Sequence, residues 1–389
     1  MNLNKYKNLV KRYKVLYAAY FYIMSFVVNL LKIFLKTDDK LILFVSFGGR
    51  RFTDSPKAIY SYMNNDCRFE GYKLYWAFNN PEDYPEIKHK VKIDTFQYYK
   101  IALKARCWIT NVMIERALNF TGINTFYLYT DHGGAVKKGG KDITNTTFKS
   151  LAKYNYSVLV VQSEFERDIR CRIYSMNKND IYLTGMPKND ILANCSIADR
   201  KKIRKDLGIE GDDIKTILYA PTFREYRHIG TFDTPDVDFH KWHEYLGEGY
   251  TILYRAHPIS EANVVIKEKW FIDVTEYDSI EPLMLASDIL VSDYSGLIPD
   301  YSILQKPIYL WIYDYAQYKE KRGLYIDLKN ELPNSMEEDD LLKMIKSGFT
   351  EEQKAKIKAF QQKYATYYGN ASKNVTDIVY NNIVNIAQK

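Results

Sequence analysis

Short runs rich in β-branched and aromatic residues alternate along this chain with longer stretches of helical periodicity. Parallel strands need crossover connections that usually contain a helix, so this alternation is typical of parallel sheets covered by helices. The predicted strands are residues 41–47, 73–78, 90–94, 107–111, 125–132, 158–163, 181–185, 216–221, 251–257, 271–275, 289–295 and 307–312. The pattern therefore predicts an α/β fold.

The length of 389 residues indicates more than one hydrophobic core, because single cores stop growing near roughly 250 to 300 residues. A charged segment, 198–215, separates two alternating halves. We expect two Rossmann-like domains that face a central cleft. In chain order the predicted domains are an N-terminal helix at 1–38, a first Rossmann-like domain at 39–205, a second at 206–335, and C-terminal helices at 336–389.

The net charge of +7 lies almost entirely in residues 1–40, where eight Lys and Arg side chains face two Asp side chains. The rest of the chain is therefore nearly neutral. A nucleic-acid-binding protein carries basic surface on its folded body, beside aromatic or groove-reading motifs. The distribution excludes nucleic acid as the expected partner.

The N-terminal segment has seventeen uncharged residues at 15–31, about 26 Å of helix, which is short for a membrane span. No signal-peptide cleavage site follows it. Its polar residues form one stripe at helical spacing: Lys11, Tyr22, Ser25, Asn29, Lys32 and Lys36. We expect this basic helix to lie on an anionic membrane surface. A transmembrane span and a helix packed onto the protein body are the alternatives.

The four cysteines lack C-x-x-C spacing, which favours a reduced, cytoplasmic chain with buried thiols. The chain has no P-loop motif, no H-E-x-x-H motif and no metal-spaced cluster of Cys and His. A P-loop kinase and a zinc hydrolase are therefore disfavoured. We predict no metal-binding residues and no cofactor, and leave open whether the reaction requires a metal ion.

Polar residues at strand ends are the candidates for chemistry, because ligands bind at the carboxyl ends of strands in open α/β sheets. His132 follows one predicted strand and precedes Gly133 and Gly134, which permit close approach of the backbone. His132 is either a general base or a histidine that only fixes a loop. Arg255 and His257 end another strand and suit a phosphate or pyrophosphate.

Three further strand ends carry candidates. In SDYSG, residues 292–296, Ser295 and Gly296 would open a helix and offer an anion site. Asp293 in the same motif either orients a donor group or caps the helix. The remaining candidates, at the two other strand ends, are Thr222, Arg224, Lys188 and Asn189. The first two would line the cleft, and the last two would contact ligand or fix the linker.

Taken in order, these motifs resemble the CDP-glycerol glycerophosphotransferase family of teichoic acid synthesis. The similarity extends over roughly residues 40–330. The motifs are SPKAIYSYM at 55–63, DHGG at 131–134, TGMPKND at 184–190, YAPTFRE at 219–225, RAHP at 255–258 and the long stretch from SDYSG to GLYID at 292–327.

The resemblance implies a GT-B-like fold, attachment to one membrane face, and a CDP-glycerol or CDP-ribitol donor. It implies that His132 is the base and that His257 stabilises phosphate. It also implies that Arg224 and the turn from Asp293 through Ser295 to Gly296 hold the donor phosphates. Asp131, Gly133, Lys188 and Asn189 are possible substrate-binding residues.

The chain departs from the family pattern at five of these positions. It has Asp131 where the family has Trp, Gly134 where it has Thr, Lys188 where it has Arg, Phe223 where it has Trp, and Gly296 where it has Ser. Asp131 has the largest expected consequence, because a carboxylate beside His132 either raises its basicity or repels a phosphate acceptor.

The expected reaction is transfer of glycerol phosphate, or a related alditol phosphate, to a hydroxyl of an undecaprenyl-diphosphate-linked acceptor. The expected location is the cytoplasmic face of the bacterial plasma membrane. A nucleotide-sugar glycosyltransferase of the same fold and a non-catalytic membrane-surface scaffold are the alternatives.

Overall fold

The computed structural model describes residues 14–143, 155–211, 213–224, 237–256, 264 and 266–387. Every predicted strand run contains a strand, which confirms the α/β class. A short further strand, β13, was not predicted. The strands are β1 (Asp38–Val45), β2 (Lys73–Phe78), β3 (Lys90–Lys92), β4 (Ala105–Thr110), β5 (Phe126–Tyr129), β6 (Val158–Val161), β7 (Ile181–Leu183), β8 (Lys215–Tyr219), β9 (Tyr250–Tyr254), β10 (Phe271–Asp273), β11 (Ile289–Ser292), β12 (Ile308–Trp311) and β13 (Asn334–Ser335).

The strands form two sheets. The first has the order β3-β2-β1-β4-β5-β6-β7 and the second has the order β10-β9-β8-β11-β12-β13. The strand order reverses between β1 and β4 in the first sheet, where the paired strands are parallel. It reverses between β8 and β11 in the second, also a parallel pair. Such switch points leave a crevice at the carboxyl ends of the strands, where α/β proteins bind ligands.

Helices connect the strands in both sheets. The α-helices are Lys14–Leu30, Asp54–Asn64, Phe96–Lys104, Glu164–Tyr174, Asp190–Asn194, Ile197–Asp206, Phe239–Leu246, Ile280–Ala286, Leu297–Ser302, Tyr315–Lys321, Leu328–Glu331, Glu338–Ser347, Glu351–Tyr364 and Ala371–Ala387. The predicted C-terminal region contains three of these helices, Glu338–Ser347, Glu351–Tyr364 and Ala371–Ala387.

Several strands end before the predicted runs do. β5 stops at Tyr129 rather than at residue 132, because Asp131 has a φ of 54° and cannot continue an extended strand. β11 stops at Ser292, and the next carboxylate, that of Asp293, accepts a hydrogen bond from the backbone N–H of Tyr294. Asp commonly forms such local turns, which compete with the strand ladder.

The described residues fall into two compact units. The first lies within 1–132, 146–160 and 372–389, and the second within 133–145 and 161–371. These units divide the chain at other positions than the predicted domains, whose boundaries remain a prediction. The last helix returns to the first unit, so the chain enters that unit, leaves it and comes back.

The core of the first unit has two layers, because successive residues of a strand face opposite sides of a sheet. Leu41 and Leu43 of β1 belong to a cluster on one side. Ile42 and Phe44 belong to a different cluster, to which the last helix contributes Val379 among others. The C-terminal helix therefore completes the hydrophobic core of the first unit.

The second unit is built in the same way. Leu218 of β8 belongs to a cluster with Leu290 and with Phe360 from the helix Glu351–Tyr364. Tyr219, the next residue, belongs to another cluster with Trp242. The unit thus has its own core on both faces of the second sheet.

The N-terminal helix uses its polar stripe to pack on the first unit. The Asn119 N–H donates to Ser25 Oγ over 2.8 Å, and Asn29 Nδ2 donates to the Asn119 carbonyl over 2.8 Å. Lys32 Nζ donates to Thr121 Oγ1 over 2.9 Å. Three members of the stripe, Ser25, Asn29 and Lys32, are therefore held by protein, which corrects the expectation for these three. Tyr22 and Lys36 are exposed, and Lys11 lies outside the described residues.

Another face of this helix presents apolar side chains to solvent, although Tyr17, Phe21 and Val28 are buried. Among the described residues, one helical stretch, Val15–Phe34, is long and apolar enough to cross a membrane by length and composition, which is weak evidence for membrane association. The exposed large apolar residues of the segment are Val15, Leu16, Tyr22, Ile23, Phe26, Val27, Leu30, Ile33 and Phe34.

The four cysteines are unpaired. Cys107 is buried in β4, but Cys67 is exposed, which corrects the expectation that the thiols are buried. Cys67 begins the short 3-10 helix Cys67–Phe69, in a tight turn where the Asp66 side chain accepts a hydrogen bond from the Arg68 N–H.

Candidate active site

Three strand ends meet around His132 in the first unit. β1 and β5 both pair with β4, so the residues that follow these three strands lie at one edge of the sheet, beside its switch point. The aromatic ring of Phe47, after β1, lies edge-on to the His132 ring with centroids 5.7 Å apart. The Asn111 carbonyl, after β4, lies 3.1 Å from His132 Nδ1.

The His132 side chain is 50% exposed, so its imidazole can exchange a proton with a substrate or with solvent. Asp131 Oδ1 lies 3.2 Å from His132 Nδ1 and also accepts a 2.8 Å hydrogen bond from the His132 backbone N–H. The Asp131 side chain is only 10% exposed. The predicted base is therefore an exposed imidazole with a largely buried carboxylate against one nitrogen.

Asn111 and Phe47 were not singled out from the sequence. They are the last residues of two predicted strands, 107–111 and 41–47. The fully buried Asn111 side chain accepts a hydrogen bond from the Phe47 N–H over 2.8 Å, through Oδ1. Asn111 thus joins the β1 end to the His132 imidazole. Asn111 is a polar residue at the end of predicted strand 107–111, so the strand-end rule would have identified it as a candidate.

Glu115 lies in the loop that follows Asn111. It is buried, and it accepts a 3.0 Å hydrogen bond from the Tyr127 hydroxyl. Burial raises the pKa of the Glu115 carboxyl to about 7, although a backbone hydrogen bond and the Tyr127 hydroxyl offset part of the effect. This loop therefore contains a carboxyl group that titrates near neutral pH.

Arg224 lies beyond β8 in the second unit and is fully buried. Its Nε and Nη2 donate to the two carboxylate oxygens of Asp314 over 2.8 and 3.0 Å. Its Nη1 donates to Asp293 Oδ2 over 2.7 Å and to the Thr222 carbonyl over 2.5 Å, and Nη2 also donates to the Tyr313 hydroxyl over 3.1 Å. These five bonds equal the number of N–H groups that a guanidinium has.

The tyrosine rings of the same unit surround the Arg224 guanidinium. Its central carbon lies 5.1, 5.3 and 5.0 Å from the ring centroids of Tyr294, Tyr313 and Tyr318. Such contacts stabilise a desolvated cation. The geometry differs from the expectation that Arg224 contacts donor phosphate, because in this structure every N–H group already has a protein acceptor.

Asp293 connects the two strands at the second switch point. Its Oδ1 accepts from the Thr222 N–H over 2.9 Å and from the Tyr294 N–H over 2.6 Å, while Oδ2 accepts from Arg224. Asp293 is therefore not the helix cap that was the alternative; Gly296 occupies that position. Thr222 Oγ1 is buried and finds no hydrogen-bond partner in the part of the chain that the structure describes.

Ser295 and Gly296 are half-buried and precede the short helix Leu297–Ser302. Ser295 Oγ accepts from the Leu297 N–H over 3.3 Å. The Gly134 N–H donates to the Gly296 carbonyl over 3.1 Å. A Cβ atom on Gly134 would lie 2.9 Å from Pro299 Cγ, so the two glycine loops pack more closely than side chains would allow.

Lys188 and Asn189 are buried rather than open to ligand. Lys188 Nζ lies 2.8 Å from Asp300 Oδ2, and Asn189 Nδ2 donates to Asp300 Oδ1 over 2.8 Å. Gln162 Nε2 donates to the same Oδ1 over 3.1 Å. This network holds the helix that follows Gly296, to which Asp300 belongs, and whether the two residues contact ligand stays a prediction. Asp300 and Gln162 were missed.

The remaining candidates are Arg255, Gly133 and His257. Arg255 Nη1 donates to the carbonyls of Val274 and Tyr277 over 3.3 and 2.9 Å. The Gly133 carbonyl accepts from Arg170 Nη2 over 3.0 Å. His257 lies outside the described residues. Within those residues no group of three His, Cys, Asp or Glu side chains is arranged to hold a metal ion.

Residues 27–381 match the sequence profile of the family described as CDP-Glycerol:Poly(glycerophosphate) glycerophosphotransferase. The chain belongs to this family. The resemblance found in the motifs is thereby confirmed, and the chain is related to transferases of teichoic acid synthesis.

Two curated relatives give the scale of the similarity. A teichoic acid poly(glycerol phosphate) polymerase of Staphylococcus epidermidis is 30% identical over 371 residues, which cover 88% of this chain and 51% of that protein. This chain thus spans about half the length of that relative. A teichoic acid glycerol-phosphate transferase of Staphylococcus aureus is 28% identical over 370 residues, which cover 88% of this chain and 93% of that protein.

A solved structure extends the likeness to the fold. A variant of the wall teichoic acid polymerase TagF, soaked with CDPG, has a TM-score of 0.83 at 27% identity and covers 99% of both chains. The parallel α/β architecture is therefore shared along nearly the whole chain.

Proposed function

We propose that this chain transfers glycerol phosphate, or a related alditol phosphate, from a CDP-alditol to a hydroxyl of a membrane lipid-linked acceptor and releases CMP. The observation that carries the proposal is the half-exposed His132 imidazole at the switch point of the first sheet. Family membership supports the reaction class. The TagF variant soaked with CDPG supports a CDP-glycerol donor.

In the proposed reaction, His132 Nε2 removes the proton of the acceptor hydroxyl. The acceptor oxygen then attacks the β-phosphorus of the CDP-alditol, the bond between that phosphorus and the bridging oxygen breaks, and CMP leaves with the electron pair. General bases contribute roughly 10²- to 10⁴-fold to such steps. Positioning and charge neutralisation supply the rest in phosphoryl transfer.

The donor phosphates would bind at the carboxyl ends of β8 and β11. Ser295 and the backbone at Gly296 offer hydrogen-bond donors, and the Thr222 hydroxyl is a further one. We propose that Arg224 and Asp293 hold these strand ends in place rather than touch the phosphates. Arg255 and His257 remain proposed phosphate ligands from the motif that they share.

We also propose a GT-B-like arrangement of the two units and attachment to the cytoplasmic face of the bacterial plasma membrane. The exposed apolar face of Val15–Phe34 supports attachment, because buried apolar area drives binding of such helices at the lipid interface. The acceptor, proposed to be an undecaprenyl-diphosphate-linked glycan, would then be presented at the same surface.

The test is CMP release by the purified protein offered CDP-glycerol or CDP-ribitol, with and without a synthetic lipid-diphosphate disaccharide. We expect acceptor-dependent release from one of the two donors. Turnover of a UDP-sugar without turnover of either CDP-alditol would instead identify a glycosyltransferase. A protein that neither turns over nor gains thermal stability with CDP-glycerol would be a scaffold.

A further inference from the structure

The His132 imidazole has two hydrogen-bond acceptors against one nitrogen. The Asn111 carbonyl lies 3.1 Å from Nδ1 and Asp131 Oδ1 lies 3.2 Å from the same atom. Neither a carbonyl nor a carboxylate oxygen donates a hydrogen bond, so both favour a proton on Nδ1. In the neutral imidazole the other nitrogen, Nε2, then carries the lone pair.

Asp131 adopts an unfavourable backbone conformation at this position. Its φ of 54° lies in the left-handed region, which is unfavourable for most residues and which Asp and Asn tolerate better than others. The His132 backbone N–H donates to Asp131 Oδ1 over 2.8 Å, and this bond fixes the carboxylate beside the ring. Backbone strain of this kind persists where the surrounding structure determines it, often at functional sites.

We propose that Asp131 is a positioning residue that acts through His132. With the Asn111 carbonyl it keeps the proton on Nδ1, so that Nε2 is the atom that accepts the proton of the acceptor hydroxyl. Its carboxylate then lies beside the imidazolium that forms. This inference rests on the proposed function and replaces the expectation that Asp131 binds substrate.

The burial of Asp131 separates this role from substrate binding. Its side chain is only 10% exposed, whereas that of His132 is 50% exposed, so an incoming hydroxyl reaches the imidazole more readily than the carboxylate. Oδ1 already interacts with both the ring and the backbone N–H of His132. A carboxylate that only bound substrate would not need this double contact with the base.

The test compares Asp131→Asn and Asp131→Gly with the wild-type protein in acceptor-dependent CMP release. Both substitutions tolerate a positive φ, so both variants keep the backbone of the loop. We expect kcat to fall about 10- to 100-fold with the KM values for donor and acceptor within about threefold of wild type. Asp66→Asn, which removes a carboxylate paired with Arg68 elsewhere in the first unit, is the matched control and should keep wild-type kcat.

The second readout is the tautomer of His132, measured by ¹⁵N NMR on protein labelled at histidine and assigned with His132→Gln. We expect the neutral wild-type imidazole to carry its proton on Nδ1, and Asp131→Gly to raise the Nε2-protonated fraction. This measurement needs no substrate. If wild-type protein releases no CMP, the proposed function fails while the tautomer still tests the role of Asp131.

Three results would overturn the inference. One is an unchanged kcat in both Asp131 variants, and another is a raised KM at unchanged kcat, which would make Asp131 a substrate-binding residue. The third is a wild-type imidazole whose proton lies on Nε2.

Discussion

At the switch point of the first sheet the His132 side chain is half exposed, whereas beyond the same point of the second sheet the Arg224 side chain is fully buried. His132 has one ring nitrogen held by protein acceptors, and Arg224 has all five N–H groups held. Both are polar residues that follow a strand. The difference teaches that a strand-end motif can supply either a reacting group or the scaffold that fixes neighbouring loops.

The largest expected effect is on the reacting side of this comparison. His132→Ala should reduce acceptor-dependent CMP release about 10³-fold, because it removes the proposed general base. The free energy of unfolding should change by less than about 1 kcal/mol, because the side chain is half exposed. His240→Ala, at another exposed histidine, is the control. Full activity in His132→Ala would remove the basis for assigning the base.

Arg224→Met tests whether the buried Arg224 serves to hold neighbouring strand ends in place. It would leave the buried carboxylates of Asp293 and Asp314 without their cation, and breaking such a pair costs roughly 3–5 kcal/mol. Urea unfolding measures the change. Arg172→Met is the matched control, because it breaks a surface pair with Asp142 in the same unit and should cost less than about 1 kcal/mol. A stable Arg224→Met variant with a raised donor KM would make Arg224 a phosphate ligand after all.

Glu115→Gln extends the comparison of exposed and buried polar residues to a buried carboxyl group of the first unit. Its folded-state pKa is raised to about 7 from 4.5, so the unfolded state ionises first as pH rises. Wild-type stability should therefore fall relative to Glu115→Gln between about pH 4.5 and 7, by about 3 kcal/mol, and stay level above that range. Urea unfolding at several pH values would show this divergence. Parallel curves for the two proteins would contradict it.

The smallest effect concerns the glycine contact in the second unit. Gly134→Ala would place a Cβ 2.9 Å from Pro299 Cγ and 3.3 Å from the Gly296 carbonyl oxygen, which should reduce the free energy of unfolding by about 1–2 kcal/mol. Gly249→Ala is the control, because a Cβ there meets no atom within 4 Å. Equal thermal stability of the two variants would show that the loops separate at little cost.

The strands were predictable because β-branched runs and helical periodicity are local properties of the sequence. Each predicted run contains a strand, and among the residues that the structure describes only the two-residue strand Asn334–Ser335 was missed. The order of strands within each sheet was not predictable, since it depends on which distant runs pair. The predicted strands run past the observed ends where a side chain such as that of Asp293 accepts a hydrogen bond from a nearby backbone N–H.

The site was predictable only as a set of strand-end positions. Whether such a residue is exposed depends on partners that are far away in the chain: Asp314 is 90 residues from Arg224, and Asp300 is 112 residues from Lys188. The strand-end rule alone does not reveal these partners. The exposure of His132 and the burial of Lys188 could therefore only be learned from the fold.

The last helix has a consequence for synthesis on the ribosome. The buried Arg106 donates from Nε to the carbonyl of Ile383, 277 residues later. During synthesis, most strands of the first sheet are therefore made before the helix that covers them. Segment 161–371 is made between the two. Although domains usually fold in order as they emerge, the first unit cannot close its hydrophobic core until residues 372–389 have been made.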